Sequence, residues 1–251
     1  MEKKTKIYFA SDCHLGVPNH EASLKREKHF VKWLEKAAKD ASEIYLLGDL
    51  FDFWFEYRTV VPKGFTRLLG CLSRITDNGI PIYFFTGNHD MWCFDYLEKE
   101  CGLKIYRHPI VKEISGKRFM IGHGDGLGKG DFGYKLIKSI FANKLCQKLF
   151  AMLHPRLGIG IALYFSHKSR LANGNSDEIF LGEEGERLIK YCKAQLEESH
   201  YDFFIFGHRH LPLDIALNQK SRYINTGEWV KSFSYAVFDE SGLRLEYDPI
   251  D

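Results

Sequence analysis

The sequence predicts an α/β protein with a sheet covered by helices, and three features predict it. Short apolar, β-rich runs alternate with longer spans of helical periodicity through the first 90 residues. Several of these runs lead directly into a Gly-containing polar cluster, as in open α/β sheets whose sites lie at the carboxyl ends of the strands. The chain of 251 residues, 45% hydrophobic and 27% charged, is long and apolar enough for one large domain with a modest insertion.

The elements follow in order. Residues 6–10 read as a buried strand. Across residues 21–40, Leu24, Phe30, Val31, Trp33, Leu34 and Ala37 recur at roughly helical spacing, and residues 43–47 form a second strand. Phe65, Leu68, Leu69, Leu72 and Ile75 mark a second helix, stopped by Asp77-Asn78-Gly79. Residues 80–85 are a third strand. Residues 110–114 and 118–122 flank Ser115-Gly116 and read as a hairpin. Residues 183–197 place Leu188, Ile189, Cys192 and Leu196 on one helical face, and 203–206 is another buried strand. Residues 221–225, 235–239 and 243–247 read as antiparallel strands closing the chain.

The totals exclude some classes. The first residues run straight into the apolar stretch at 7–10, which is too short for a signal peptide, and no run approaches the ~18 apolar residues of a membrane span. The six cysteines include no CxxC pair, so reduced thiols in the cytoplasm are expected. A net charge of +2 points to no polyanionic partner by itself.

Five polar clusters carry the chemistry: Asp12-x-His14, Gly48-Asp49-x-x-Asp52, Gly87-Asn88-His89-Asp90, Gly122-His123-Gly124-Asp125 and Gly207-His208-x-His210. On extended chain, Asp12 and His14 would share one face, with Cys13 turned away. Asp49 has two oxygens with which to bridge two cations. Asn88 offers an amide oxygen, and His123, His208 and His210 offer imidazole nitrogens. This mixed N/O set suits two divalent cations such as Mn²⁺, Zn²⁺ or Fe, with Mn²⁺ the first expectation. Any one cluster alone would read as a turn; five in succession after apolar strands point to a two-metal site.

Taken in order, these clusters resemble the calcineurin-like metallophosphoesterases, across residues 12–210. The resemblance implies a four-layer αββα sandwich. It implies one metal on Asp12, His14, Asp49 and His210, and a second on Asp49, Asn88, His123 and His208. It further implies water attack on phosphorus between the cations, with His89 stabilising the transition state or protonating the leaving oxygen and Asp52 orienting it.

Substrate choice is expected to rest on residues 129–170, which hold eight Lys or Arg and one acid, Asp131. Tyr134, Ile137, Phe141, Leu145, Leu149 and Met152 advance by three or four as one stripe, continued after Pro155 by Leu157, Ile161, Leu163, Tyr164 and Phe165. The segment reads as a basic amphipathic helical lid at 129–175, inserted into a core of 1–128 and 176–251. Such a lid suits an anionic membrane surface, which predicts peripheral association with the inner membrane. A cap packed on its own domain is the alternative; Leu and Ile dominate the stripe, so nucleic acid is not expected. Gly48-Asp49-Leu50-Phe51-Asp52-Phe53-Trp54, the insertion after Asp125, and Gly207-His208-Arg209-His210-Leu211-Pro212 with Gly227-Glu228-Trp229 are similar to the UDP-2,3-diacylglucosamine pyrophosphatases of lipid A synthesis. That similarity implies a glycolipid nucleotide substrate and no obligate protein partner. It implies substrate contacts from Asn88, His89 and the Asp131-x-x-Tyr134 pair, with Arg170 and Asn173 as further headgroup candidates. Two departures stand out: His89 replaces the usual Arg, and Gly128-Lys129-Gly130 replaces the usual Cys-Thr-Asp. A general phosphodiesterase or pyrophosphatase is therefore the competing reading.

Overall fold

In the computed structural model, which describes residues 4–130, 132–173 and 179–249 (backbone alone at 167 and 169–173), the first half builds one sheet. The strands β1 (Lys6–Ala10), β2 (Ala41–Leu46), β3 (Ile82–Phe85) and β4 (Lys104–Tyr106) run parallel, joined through helices α1 (His20–Ala37), α2 (Thr66–Asp77) and α3 (Tyr96–Cys101). The C-terminal hairpin of β10 (Ser234–Asp239) and β11 (Gly242–Tyr247) completes it antiparallel to β1, in the order β11-β10-β1-β2-β3-β4. A second sheet has the order β5-β6-β7-β9-β8, with β5 (Ile110–Ile114), β6 (Lys117–Ile121), β7 (Phe203–Phe206), β8 (Pro212–Ala216) and β9 (Arg222–Thr226).

Alternation along the strands makes the layers. In β1, Tyr8 and Ala10 face α1 and α2 with Phe30, Trp33, Leu34, Leu68 and Leu72, while Ile7 and Phe9 face the second sheet. In β6 and β7, Phe119, Ile121 and Ile205 meet Phe9, Tyr45 and Phe85 between the sheets. Met120, Phe204 and Phe206 point the other way, against Leu188, Ile189 and Cys192 of α7 (Arg187–Glu198). Strands buried on both faces explain the near-continuous apolar runs in the sequence. The result is the expected four-layer αββα sandwich.

Local chemistry sets the helix ends. Asn19 caps α1, its Oδ1 accepting from the Ala22 amide at 2.9 Å. Phe65 precedes α2 in the left-handed region with no capping side chain of its own. Instead Glu27 of α1 accepts the Arg67 and Leu68 amides at 2.9 and 3.1 Å, so one helix caps the next.

Between β6 and α7 lie α4 (Phe132–Ala142), α5 (Lys144–Ala151) and α6 (Pro155–Asn173). The apolar stripe expected to run unbroken to Met152 is divided at Asn143, which caps α5 through the Leu145 and Cys146 amides, and α6 starts at Pro155, where the stripe was expected to resume. Neither α4 nor α5 has a buried residue; Phe132 is 83% and Met152 81% exposed. No helix among the described residues is long and apolar enough to cross a membrane. None of the six cysteines is paired in a disulfide, and all but Cys146 are buried.

Two expectations of the fold need correction, and three elements were not foreseen. β9 is parallel to β7 in the second sheet and is not part of an antiparallel group with β10 and β11. The helix expected from 183 begins at Arg187, after a turn at 183–185. α3, β4 and β8 had no reading at all; β4 has three residues and both strands lie at sheet edges, where the burial pattern is weakest.

Candidate metal centre

The carboxyl ends of β1, β2 and β3 and those of β6 and β7 meet at one side of the sandwich, and the five polar clusters converge there. The loops after β1 and β2 run side by side through Asp12 N to Gly48 O (3.0 Å), His14 N to Asp49 O (2.9 Å) and Leu15 N to Leu50 O (2.9 Å). This local backbone differs from the extended chain expected of Asp12-x-His14. Asp12 (φ 57°) and His14 (φ 44°) are both left-handed, as are Asp49, His208 and His210. The two side chains still converge, through a turned backbone and not through strand pleat. Cys13 is turned away as expected, buried in the core beneath. Gly48 is required by contact: a Cβ there would lie 2.7 Å from both Gly87 N and His123 Nδ1.

Asp12, His14, Asp49 and His210 form one cluster of donors, and Asp49, His123 and His208 another. In the first, His14 Nε2 and His210 Nε2 stand 2.9 Å apart, and Asp12 Oδ1 lies 3.7 Å from the former and 3.2 Å from the latter. In the second, His123 Nε2 lies 3.4 Å from Asp49 Oδ2 and 3.3 Å from Asn88 Oδ1. Asp49 stands between the two. Its Oδ1 accepts the His89 amide at 2.9 Å, and its Oδ2 lies 3.9 Å from His14 Nε2 and 3.4 Å from His123 Nε2.

The orphaned atoms fit cations. Asp12 Oδ2 is satisfied by Ser11 Oγ and by the His208 amide at 2.9 Å, whereas the fully buried Oδ1 has no hydrogen bond. His123 Nδ1 donates to Leu47 O at 2.6 Å, leaving Nε2 facing Asp49 and Asn88. Acceptors therefore face acceptors across the centre, an arrangement a divalent cation relieves. Burial pushes His14 down to about 3 and His208 to about 4, so both are neutral donors at pH 7. Burial would lower His123 too, but the Asp49 carboxylate outweighs it and raises it to about 10, so Nε2 holds a proton there until a cation takes that place. Burial opposes ionisation of Asp12, yet the neighbouring His14 and His210 rings hold it well below the carboxylate range.

His89 and Asp52 lie beside this centre. His89 Nδ1 is 2.9 Å from the backbone carbonyl of Asp52, so that carbonyl, more than the carboxylate 3.5 Å away, orients the ring. Asp52 Oδ1 is also 3.6 Å from His14 Nδ1. Tyr134 donates to Asp125 Oδ2, and Lys138 pairs with the same oxygen at 2.6 Å, tying α4 to the cluster after β6. Asp131 lies outside the described residues, as do the side chains of Arg170 and Asn173.

Several supporting residues had no role assigned from sequence. Asp90 accepts from Gly87 N (2.7 Å) and Leu50 N (2.8 Å), clamping two ligand loops together. Arg26, 6% exposed, donates to the carbonyls of Cys13, His14 and Val17. Arg209, between His208 and His210, forms a forked pair with the buried Glu186 at 2.8 and 2.9 Å. A signal for Arg26 was present: it sits four residues before Phe30, on the apolar face of α1, where a charge needs a buried partner.

The fold and this double cluster define a phosphoesterase. The chain matches the calcineurin-like phosphoesterases over residues 5–212 and belongs to that family. It is 42% identical to the UDP-2,3-diacylglucosamine hydrolase of Porphyromonas gingivalis, an alignment covering 97% of each chain. It is 29% identical to proteins of the same name from Proteus mirabilis, over 81% of each chain, and from Aeromonas salmonicida, over 95% of this chain and 91% of that one.

Proposed function

We propose that this chain hydrolyses the pyrophosphate of UDP-2,3-diacylglucosamine to UMP and 2,3-diacylglucosamine 1-phosphate, a step of lipid A biosynthesis. Asp12, His14, Asp49 and His210 would hold one divalent cation and Asp49, Asn88, His123 and His208 the other, with Mn²⁺ the proposed metal. Bound there, the cations supply charge neutralisation of the pyrophosphate and acidify water for attack on phosphorus. The chain's own residues do the rest. His89 Nδ1–H donates to the Asp52 carbonyl, so it is as the imidazolium that the ring would give its second proton, from Nε2, to the bridging oxygen as that oxygen departs with the second phosphate. Asn88 and Tyr134 are proposed substrate contacts, together with Asp131, Arg170 and Asn173.

The observation that carries this reading is the groove of about 790 Å³ between core and insertion. Leu15 and Phe53, neighbours of His14 and Asp52, line it with Val61 and Phe65; Ile159 and Leu163 of α6 form its other wall. A largely apolar groove lined by residues one step along the chain from His14 and Asp52 suits an acyl chain attached to a sugar nucleotide. The basic, exposed helices 132–151 support the reading of 129–175 as a lid that also rests on an anionic membrane from the cytoplasmic side.

The test is UMP release from the diacylated substrate and from its deacylated analogue, with Mn²⁺ and after chelation. Fast, metal-dependent release from the diacylated form alone is expected; equal rates on both would remove the groove from substrate choice and favour a general pyrophosphatase.

A further inference from the structure

We propose that Ser166, on α6, is a positioning residue for this hydrolysis, locking Asp52 and, through it, the His89 ring when α6 is seated on the core; the proposal rests on the phosphoester chemistry proposed above. Asp52 is 1% exposed and stands behind two histidines, with Oδ1 3.6 Å from His14 Nδ1 and 3.5 Å from His89 Nδ1. Its other oxygen, Oδ2, receives a hydrogen bond from Ser166 Oγ at 3.0 Å, across 114 residues of chain. The same hydroxyl lies 3.4 Å from His89 Nδ1. Asp52 and His89 come from the loops after β2 and β3; Ser166 comes from the insertion. Without it, Oδ2 loses a donor and His89 Nδ1 a polar neighbour, so carboxylate and ring are both held less firmly.

The helix face adds a second observation. Ile159, Leu163 and Ser166 follow at i, i+4 and i+7, so the two apolar residues that wall the groove and the hydroxyl that reaches Asp52 share one side of α6. Leu157, Ile161, Tyr164 and Phe165, on its other sides, are exposed. Whatever fills the groove therefore contacts the same face of α6 that carries Ser166. Groove occupancy and His89 orientation meet on that face, although the groove and the ring belong to different parts of the site.

Ser166→Ala and Ser166→Thr decide the matter, assayed on UDP-2,3-diacylglucosamine and on bis(p-nitrophenyl) phosphate, a diester too small to fill the groove. Ser166→Ala is expected to lower kcat about tenfold on both substrates with little change in KM, and Ser166→Thr to restore most of it. Metal content should be unchanged. In ¹⁵N spectra of the histidine rings, recorded without substrate, the His89 Nδ1 signal should move in Ser166→Ala and not in Ser166→Thr. A loss confined to the diacylated substrate would reduce Ser166 to lid packing, and unaltered kcat or an unmoved His89 signal would equally overturn the proposal. If only the diester is turned over, the UDP-sugar assignment fails while the diester and the spectra still judge Ser166. If neither is turned over, the spectra judge it alone.

Discussion

At the scale of single residues, Asn88 and His89 are adjacent in sequence but differ in what they hold. Asn88 Oδ1 belongs to the donor set with His123, whereas the His89 ring is fixed by Asp52 outside it. Asn88→Ala should therefore lose one of two bound metals and nearly all turnover. His89→Ala should keep both metals and lower kcat by about 10²–10⁴, the span of a general acid's contribution. Metal analysis with steady-state kinetics on each variant checks this, and an unchanged kcat in His89→Ala would remove the acid role. The donor types were legible in the sequence because few side chains can ligate a hard cation. The hydrogen bond on Asp49 Oδ1 was not, since it depends on the His89 amide reaching that oxygen from 40 residues away. Nor were Glu186 and Ser166, whose partners are chosen by tertiary contact.

At the scale of elements, periodicity was enough wherever an element is long or buried on both faces. β1 and β7 have the expected bounds, and α1 and α2 lie within a few residues of theirs. It failed for β9, because parallel pairing to β7 is a non-local choice that a run of five residues does not encode. The start of α2 is another non-local feature: its cap comes from Glu27 on α1. Glu27→Ala leaves the buried Leu68 amide without its acceptor and should cost about 1–3 kcal/mol in urea unfolding, with Glu27→Gln recovering much of it. The insertion makes its own prediction. α4 and α5 carry Lys135, Lys138, Lys144 and Lys148 beside exposed Leu136, Leu145 and Leu149. Binding to anionic vesicles should fall as salt is raised through the range where the Debye length shrinks below about 10 Å. Absence of binding at every salt concentration would mean that the helices are a cap and not a membrane contact.

For the whole molecule, the strands of each sheet are held in register by polar ties as well as by the core between the sheets. Asp202 joins three strands: it accepts from the Arg118 amide, pairs with Lys117 at 3.1 Å, and its backbone bonds to Arg118 and Arg222. Partial burial alone would raise its carboxyl, but the Arg118 amide and Lys117 hold it below the ordinary 3.8. Asp239 is lowered as well, chiefly by its hydrogen bond from Arg244. A folded pKa below the unfolded one gives stability that is present above about pH 4 and lost as pH falls through the folded value. Tm measured against pH should therefore drop below about pH 4, and drop less steeply in Asp202→Asn with Asp239→Asn. An identical acid limb in this double variant would show that other groups govern acid unfolding.

The left-handed backbone at Asp12, His14, Asp49, His208 and His210 has a consequence for heredity. These are conformations that glycine adopts freely and that most other residues enter only at a cost of order 1 kcal/mol or more. Replacing such a residue by glycine relieves local strain while deleting a donor atom; at Asp12 and Asp49 it also strips the acceptor from the His208 and His89 amides, so folding and catalysis are most clearly opposed at the histidines. A lineage relieved of the need for the reaction would drift toward glycine here first, and a screen for heat resistance alone would recover the same inactive proteins.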